Sequence, residues 1–315
     1  MPRRIIIDTD PGYDDAIALA LAVLSPEIEL LGLTTVRGNA RVDVCTENAL
    51  RVLDFLGVNV PVYEGMTQAL VRPDVRNGTN LPEGTYLDLP PARSQKQPKH
   101  AVDWLIDTLS ASDGDITLMP IGPLTNIAMA IRRQPDILPK IRELVIMGGA
   151  HAASNVTPAA EYNIWIDPEA AKLVLGCGRP IRLVTLDATT QTRFNASEVR
   201  HIRRLGTPAA EMATKILSSE MAIYGPTAAH DALALCAIID PTIVRTQFVH
   251  VDVETRGELT DGRTVCDLNH LTKAAPNIHV ALEADKLRYL DMLVAILAMP
   301  SRVVSQQVLV SASVG

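Results

Sequence analysis

Residues 5–19 read Ile-Ile-Ile-Asp-Thr-Asp-Pro-Gly-Tyr-Asp-Asp-Ala-Ile-Ala-Leu, and they place Asp8, Asp10, Asp14 and Asp15 within eight positions. A run of β-branched apolar residues precedes the four aspartates, and a helical pattern follows them. The segment therefore predicts a buried strand, a Pro-Gly turn and a helix. The strand delivers Asp8 and Asp10 at its carboxyl end, while Asp14 and Asp15 open the helix.

This acidic cluster predicts a metal site. Four carboxylates so close together repel one another, and burying each without a partner costs several kcal/mol. A helix N-terminus offsets part of that cost, and an ordinary N-cap accounts for one acid but not for four. A divalent cation would offset far more. Since all the candidate ligands are hard oxygens with no His or Cys nearby, calcium or magnesium is favoured over zinc.

Strand and helix patterns alternate through the first two-thirds of the chain, which predicts an α/β fold with a mostly parallel, Rossmann-like central sheet flanked by helices. The predicted strands are rich in Ile, Leu and Val without alternation, as expected for burial on both faces. They cover residues 5–8, 28–36, 116–120, 144–147 and 181–186. The predicted helices cover 15–24, 41–56 with Gly57 as C-cap, a segment ending at 132, and 168–175.

The pattern changes after about residue 190, and it predicts a helical and β-hairpin elaboration in the C-terminal third. Residues 196–238 favour helices, 248–254 and 263–268 favour strands joined through Asp261-Gly262, and 283–299 favours a last helix. No Pro-, Gly- or Ser-rich linker divides the chain, so we expect one domain over residues 1–315. Residues 72–100 predict a long surface loop, either a lid or binding loop or a disordered insertion.

Composition excludes several classes of protein. The 315 residues are 47% hydrophobic and carry a net charge of −7 with a pI near 5.5, which does not fit a nucleic-acid-binding face. No apolar run reaches membrane-spanning length. The four cysteines lack metal-site spacing, and an aspartate follows only three apolar residues at the N-terminus, unlike a signal peptide. These features predict a cytoplasmic protein with no membrane or nucleic-acid partner.

In an open α/β sheet, ligands bind beyond the carboxyl ends of the strands, so polar residues at those ends are the candidates for the site. Besides the aspartate cluster they are Arg37-Gly38-Asn39, Ile121-Gly122-Pro123, Met147 with the loop that carries His151, Asn155, Glu161 and Asn163, then Asp187 and His230-Asp231. The chain has no Gly-x-Ser-x-Gly, Walker or Gly-x-Gly-x-x-Gly motif. Carboxylates and amides suit a hydroxyl-rich ligand, which predicts hydrolysis at a sugar carbon by metal-held water.

The first motif, Asp8-Thr-Asp-Pro-Gly-Tyr-Asp-Asp-Ala, resembles the N-terminal signature of the inosine–uridine-preferring nucleoside hydrolases. Further similar motifs follow in family order over most of the chain. They are Arg37-Gly38-Asn39, Gly122-Pro-Leu-Thr-Asn126, Val145-Ile-Met-Gly-Gly149, Glu161-Tyr-Asn163, Asp167-Pro-Glu-Ala170, His230-Asp231 and Glu254-Thr-Arg-Gly-Glu-Leu259.

The resemblance implies cleavage of the N-glycosidic bond of ribonucleosides, with a calcium ion as cofactor. Asp10, Asp15 and Asp231 would bind the ion together with the main-chain carbonyl of Ile121, and Asp10 would also be the general base. His230 would protonate the departing base. The expected substrate-binding residues are Asp14, Asn39, Met147, Asn155, Glu161 and Asn163 around the ribose, with Tyr224 near the base.

Two alternatives remain open at this point. Asp8-x-Asp10 after a first strand also occurs in haloacid-dehalogenase-like phosphatases, which use magnesium, and a non-catalytic nucleoside- or ribose-binding protein would keep the same metal site. The expected partner is a small-molecule nucleoside, and by analogy with the family we expect a homodimer or homotetramer. The sequence does not determine the preferred base.

Overall fold

In the computed structural model, residues 1–72 and 87–300 are described, so residues 73–86 of the predicted loop 72–100 lie outside the described part. Ten strands are found in the described part: β1 Arg3–Thr9, β2 Ile28–Thr35, β3 Val62–Glu64, β4 Ile116–Pro120, β5 Ile141–Met147, β6 Ile181–Val184, β7 Val244–Val249, β8 Val251–Val253, β9 Thr264–Cys266 and β10 Ile278–Ala284.

The helices of the same residues alternate with the strands as far as β6 and then follow one another. They are α1 Tyr13–Leu24, α2 Val42–Leu56, α3 Ala101–Ser110, α4 Thr125–Arg133, α5 Tyr162–Ile166, α6 Pro168–Leu175, α7 Leu186–Thr189, α8 Ala196–Arg203, α9 Pro208–Tyr224, α10 His230–Ile239 and α11 Lys286–Leu297. Of these helices, none is long and apolar enough to cross a bilayer.

Eight of the described strands form one sheet in the order β3-β2-β1-β4-β5-β6-β10-β7. All neighbouring pairs are parallel except β10 and β7, which confirms the mostly parallel sheet. The chain moves from β1 to β2 on one side and to β4 on the other, so β1 lies at the switch point of the topology. In such sheets this is where ligands bind.

Both faces of the sheet are covered, which explains why the strands do not alternate between apolar and polar residues. In β1, the side chains of Ile5 and Ile7 pack into one buried cluster with residues of α1 and α10. The side chain of Ile6 packs into a second cluster with residues of α3, α4 and α6. Burial on both sides fixes β1 firmly, and it thereby fixes the backbone of the aspartates at its carboxyl end.

The C-terminal third contains more strand than the sequence patterns predict. The hairpin is confirmed, since β8 and β9 pair antiparallel, but Phe248 belongs to β7 in the main sheet. The expected helix over 283–299 begins later, because Glu283 lies in β10 and Asp285 caps α11 by accepting a hydrogen bond from the Arg288 amide (3.1 Å). Pairing with β6 and β7 outweighs the local helical pattern there.

Candidate functional site

The turn between β1 and α1 is held by Asp15. Its Oδ1 accepts a hydrogen bond from the Thr9 hydroxyl (2.5 Å), and its Oδ2 accepts one from the Gly12 amide (3.0 Å). A Cβ at residue 12 would lie 2.9 Å from the Asn39 Nδ2, so glycine at this position leaves room for the Asn39 side chain. Asp15 therefore closes the first turn of α1 and is buried at the carboxyl edge of the sheet.

Asp14 joins the start of α1 to the start of α10. Its Oδ2 accepts hydrogen bonds from the backbone amides of His230 (2.9 Å) and Asp231 (3.4 Å). Amides in the first turn of a helix such as α10 have no acceptor within the helix itself. One carboxylate oxygen each of Asp14, Asp15 and Asp231 lies within 4.8 Å of the others. Two helix N-termini thus converge on three carboxylates, and their partial positive charges favour the anionic forms.

Asp10 lies beside this group but does not line the cavity in front of it. Its side chain is fully buried, and Oδ2 accepts a hydrogen bond from the Asn39 amide (2.6 Å). Its Oδ1 is buried and has no hydrogen-bond partner among the described residues. A Cβ at Gly38 or Gly122 would overlap this carboxylate, so two glycines form the space that holds it.

The electrostatics of the cluster favour a cation. Burial raises the pKa of Asp10 and Asp231 well above the usual range, and the charges of the neighbouring aspartates raise both further. Burial also raises the pKa of Asp14, and burial together with the charge of Asp14 raises the pKa of Asp15 to about 6. An unpartnered carboxylate oxygen among hard donors fits a calcium or magnesium ion, since these ions bind and neutralise such sets of oxygens.

Amide and carboxyl groups from β4, β5 and α5 form the neighbouring wall. The Asn163 Nδ2 donates to the carbonyls of Ile121 (2.8 Å) and Met147 (3.3 Å). Glu161 caps α5 by accepting from the amide of Asn163 (2.9 Å), and its other oxygen accepts from the Gly149 amide (2.8 Å). These contacts hold the Ile121 carbonyl and the polar groups of the wall in a defined orientation.

His230 and Tyr224 also line the cavity. The His230 Nδ1 is hydrogen-bonded to the Thr189 hydroxyl (2.6 Å), so the other ring nitrogen remains for a ligand. Burial, and secondarily the charge of Arg193, lowers the His230 pKa to about 4, which makes the ring neutral at neutral pH. Tyr224 is 70% exposed and lines the mouth of the cavity.

A cavity of about 420 Å³ connects these groups. It is lined by eleven of the twelve residues to which the resemblance assigns a role, the exception being Asp10: Asp14, Asp15, Asn39, Ile121, Met147, Asn155, Glu161, Asn163, Tyr224, His230 and Asp231.

Sequence reasoning missed other polar residues of the lining. Glu220 lies one helical turn before Tyr224 on α9, and this spacing could have revealed it. Arg193, Thr227 and Tyr162 also line the cavity, and no local pattern points to Arg193. Burial and the charge of Asp14 raise the Glu220 pKa to about 8, and the Thr227 hydroxyl donates to its carboxyl group (3.1 Å).

Asp8, although part of the sequence cluster, does not line the cavity. Its Oδ1 accepts hydrogen bonds from the Thr34 hydroxyl (2.6 Å) and the Asn126 amide group (2.7 Å). Asn126 also donates to the Thr35 carbonyl (2.9 Å) and accepts from the Met66 amide (2.8 Å). Asp8 therefore ties the carboxyl ends of β1 and β2 to α4, which keeps the floor of the site in register.

Known proteins resemble this chain in both sequence and structure. The sequence profile of the family described as inosine-uridine preferring nucleoside hydrolase matches residues 5–291. The pyrimidine-specific ribonucleoside hydrolase RihB of Shigella sonnei is 45% identical over 293 residues, which cover 90% of this chain and 93% of that protein.

Two solved structures extend the likeness. The purine-preferring ribonucleoside hydrolase of Gardnerella vaginalis superposes with a TM-score of 0.82 at 30% identity, covering 94% of this chain and 98% of that one. The plant nucleoside hydrolase PpNRh1 gives a TM-score of 0.84 at 30% identity, covering 95% and 100%.

Proposed function

The chain belongs to the inosine-uridine preferring nucleoside hydrolase family and hydrolyses the N-glycosidic bond of ribonucleosides, and we propose that it does so with Asp10 as general base and calcium as cofactor. The observation that carries the proposal is the group of Asp14, Asp15 and Asp231 beside the unpartnered Oδ1 of Asp10. We therefore favour hydrolysis of nucleosides over the two alternatives that the sequence left open, a haloacid-dehalogenase-like phosphatase and a non-catalytic nucleoside- or ribose-binding protein.

We assign the cation to Asp10, Asp15 and Asp231 and to the main-chain carbonyl of Ile121. The support is that carboxylate oxygens of Asp15 and Asp231 lie within 4.8 Å of each other, that burial and neighbouring aspartates raise the pKa of Asp10 and Asp231, and that all these donors are hard oxygens. When bound, calcium lowers the pKa of water and coordinates hydroxyl groups. Asp14, whose carboxylate has an oxygen within 4.8 Å of those of Asp15 and Asp231, is a further candidate ligand as well as a candidate for binding the ribose.

In the proposed reaction, Asp10 accepts a proton from the attacking water through Oδ1, the oxygen that has no partner in the described residues. Positive charge develops on the sugar as in other glycoside hydrolyses, and the anionic groups that line the floor stabilise it. The ribose hydroxyls are bound by Asp14, Asn39, Asn155, Glu161 and Asn163, with Met147 against the sugar. All six residues line the cavity.

The resemblance implies that His230 protonates the departing base, but because burial lowers its pKa to about 4, we propose that it donates a hydrogen bond to the base instead. Its Nδ1 contacts the Thr189 hydroxyl, and if that hydroxyl donates, the proton of the neutral ring is on Nε2. Tyr224 at the mouth of the cavity is proposed to contact the base. We propose a preference for pyrimidine ribonucleosides, because the relative that is 45% identical carries that specificity in its name.

The test is an assay of reducing sugar released from uridine, cytidine and inosine, with calcium and with a chelator. We expect turnover on uridine and cytidine that calcium restores after chelation. Asp10→Asn should lower kcat by at least about 100-fold while uridine still binds, because general acid–base groups contribute this much or more. Release of no ribose from any nucleoside would refute the function, and an Asp10→Asn variant with normal kcat would refute the base.

Three further expectations accompany this proposal. We propose a cytoplasmic enzyme, since Cys45, Cys177, Cys236 and Cys266 are all free thiols. We propose one domain over residues 1–315, because strands from both ends of the described chain share one sheet. The homodimer or homotetramer is proposed by analogy with the family, and sedimentation of the purified protein tests it.

A further inference from the structure

Arg193 presents a cationic side chain to the cavity on the side of His230 and Tyr224. The residue is exposed, and within residues 1–72 and 87–300 its guanidinium group has no hydrogen bond and no ion pair. A guanidinium group stays charged at every pH at which the protein is folded. The cavity therefore combines a group of carboxylates with the positive charge of a guanidinium group near His230.

The backbone that carries this side chain is firmly held. The Arg193 carbonyl accepts a hydrogen bond from the Lys286 ammonium group (2.7 Å), and the next amide, of Phe194, donates to the Thr227 carbonyl (2.7 Å). Phe194 is buried and its ring lies 6.0 Å from that of Tyr289. These contacts fix the backbone position of Arg193, so its side chain starts from a defined place beside the cavity.

The chemistry of the leaving group needs a charge at this place. When the C1′–N bond breaks, both of its electrons go to the base nitrogen, and negative charge develops on the base. His230 offers the base a single ring nitrogen, Nε2, because its Nδ1 is hydrogen-bonded to the Thr189 hydroxyl (2.6 Å). Arg193 lines the same cavity with a guanidinium group that no other described residue binds, so it is a cationic group placed to stabilise that charge.

We propose that Arg193 is a catalytic residue that hydrogen-bonds the departing base and stabilises it as an anion. This inference deepens the proposed function and depends on it. The water oxygen bonds to C1′, Asp10 takes the water proton, and the bond electrons leave with the base. The base anion, paired with the guanidinium group, then takes a proton from solvent, and Asp10 releases its own, so that one water is consumed for each nucleoside.

The test compares nucleosides with p-nitrophenyl β-D-ribofuranoside, whose leaving group is a stable anion without assistance. We expect Arg193→Ala and Arg193→Gln to lower kcat on uridine and cytidine by about 100- to 1,000-fold, the usual loss when one charge-stabilising donor is removed. The same variants should hydrolyse the nitrophenyl riboside within about threefold of the wild-type rate. Added guanidinium chloride should partly restore the uridine activity of Arg193→Ala.

The matched control is Arg200→Ala, since Arg200 is another exposed arginine, on α8, that does not line the cavity. It should leave both activities unchanged. Equal losses on nucleosides and on the nitrophenyl riboside, or unchanged nucleoside turnover in Arg193→Ala, would overturn the inference. Wild-type protein that hydrolyses neither substrate would instead refute the proposed function, and the inference with it, before any variant is made.

Discussion

Replacing Asp231 by asparagine should stabilise the metal-free protein and at the same time remove its stabilisation by calcium. Asp231 is 3% exposed, and its carboxylate lies within 4.8 Å of those of Asp14 and Asp15. In the absence of a cation, the folded protein holds these like charges together although they repel. An asparagine side chain would keep the shape and remove one charge, so the same change that weakens calcium binding should relieve the repulsion.

The size of the effect follows from Coulomb's law. Two unit charges 4.8 Å apart repel by about 3 kcal/mol at an effective dielectric constant of about 20. Asp231 forms two such pairs, with Asp14 and Asp15. Because the raised pKa values leave the cluster partly protonated, we expect roughly half of the sum, about 3 kcal/mol. For a chain of this length that corresponds to an increase in Tm of about 5 °C.

Thermal unfolding at a pH of about 8, above the ordinary carboxyl range, measures both effects. With a chelator, Asp231→Asn should melt above the wild type. With calcium at about 100 times its Kd, the wild type should gain about 2.7 kcal/mol, and the variant should gain little. Asp113→Asn is the control, because Asp113 is exposed and remote from the cavity. An Asp231→Asn protein that melts lower than the wild type in chelator, or responds equally to calcium, would refute the reasoning.

Two further predictions concern pH and the support of the site. Burial raises the folded-state pKa of Asp8 to about 7 and that of Glu220 to about 8, so the stability contributed by their neutral forms is lost as pH rises through these values. The metal-free protein should therefore become less stable to urea between about pH 6.5 and about 8.5. This window lies above the unfolded-state pKa of His230, and the lowered folded-state pKa of His230 changes stability only below the window. A free energy of unfolding that is constant or rises between these pH values would contradict the prediction. Tyr162→Phe removes a buried hydrogen bond from the phenol to the Gly38 carbonyl (2.7 Å). The substitution should lower the free energy of unfolding in urea by about 1 kcal/mol and raise KM for uridine more than it lowers kcat. An unchanged KM would show that this hydrogen bond does not position the loop that carries Gly38.

Much of the fold follows from local patterns in the sequence. The apolar run before Asp8, the Pro11-Gly12 turn and the helix after it are confirmed, and so is the glycine C-cap of α2, where Gly57 has a φ of 68°. The limits of α6 also agree with the prediction. Periodicity, capping and left-handed turns act over a few residues, so a single sequence contains the information.

The β7 and β10 strands show where such patterns fail. The local pattern around Glu283 predicts a helix, but in the structure Glu283 lies in β10, which pairs with both β6 and β7. Cross-strand pairs join residues distant in sequence, and their energy outweighs the weak local preference. The polar lining shows the same limit, since the residue after Arg193 pairs with Thr227, a distant residue that lines the same cavity.

By itself, the sequence determined which residue types the site contains and that the first strand ends in them. Only the tertiary structure decided that Asp14 reaches the amide of Asp231, 217 positions away, and that Asp10 lies behind the cavity wall with one oxygen unpartnered among the described residues. It also decided that His230 is buried, which lowers its pKa, and that Arg193 is close to it. The reason is physical: residue chemistry is local, whereas burial, charge repulsion and the meeting of two helix N-termini depend on how α1 packs against α10.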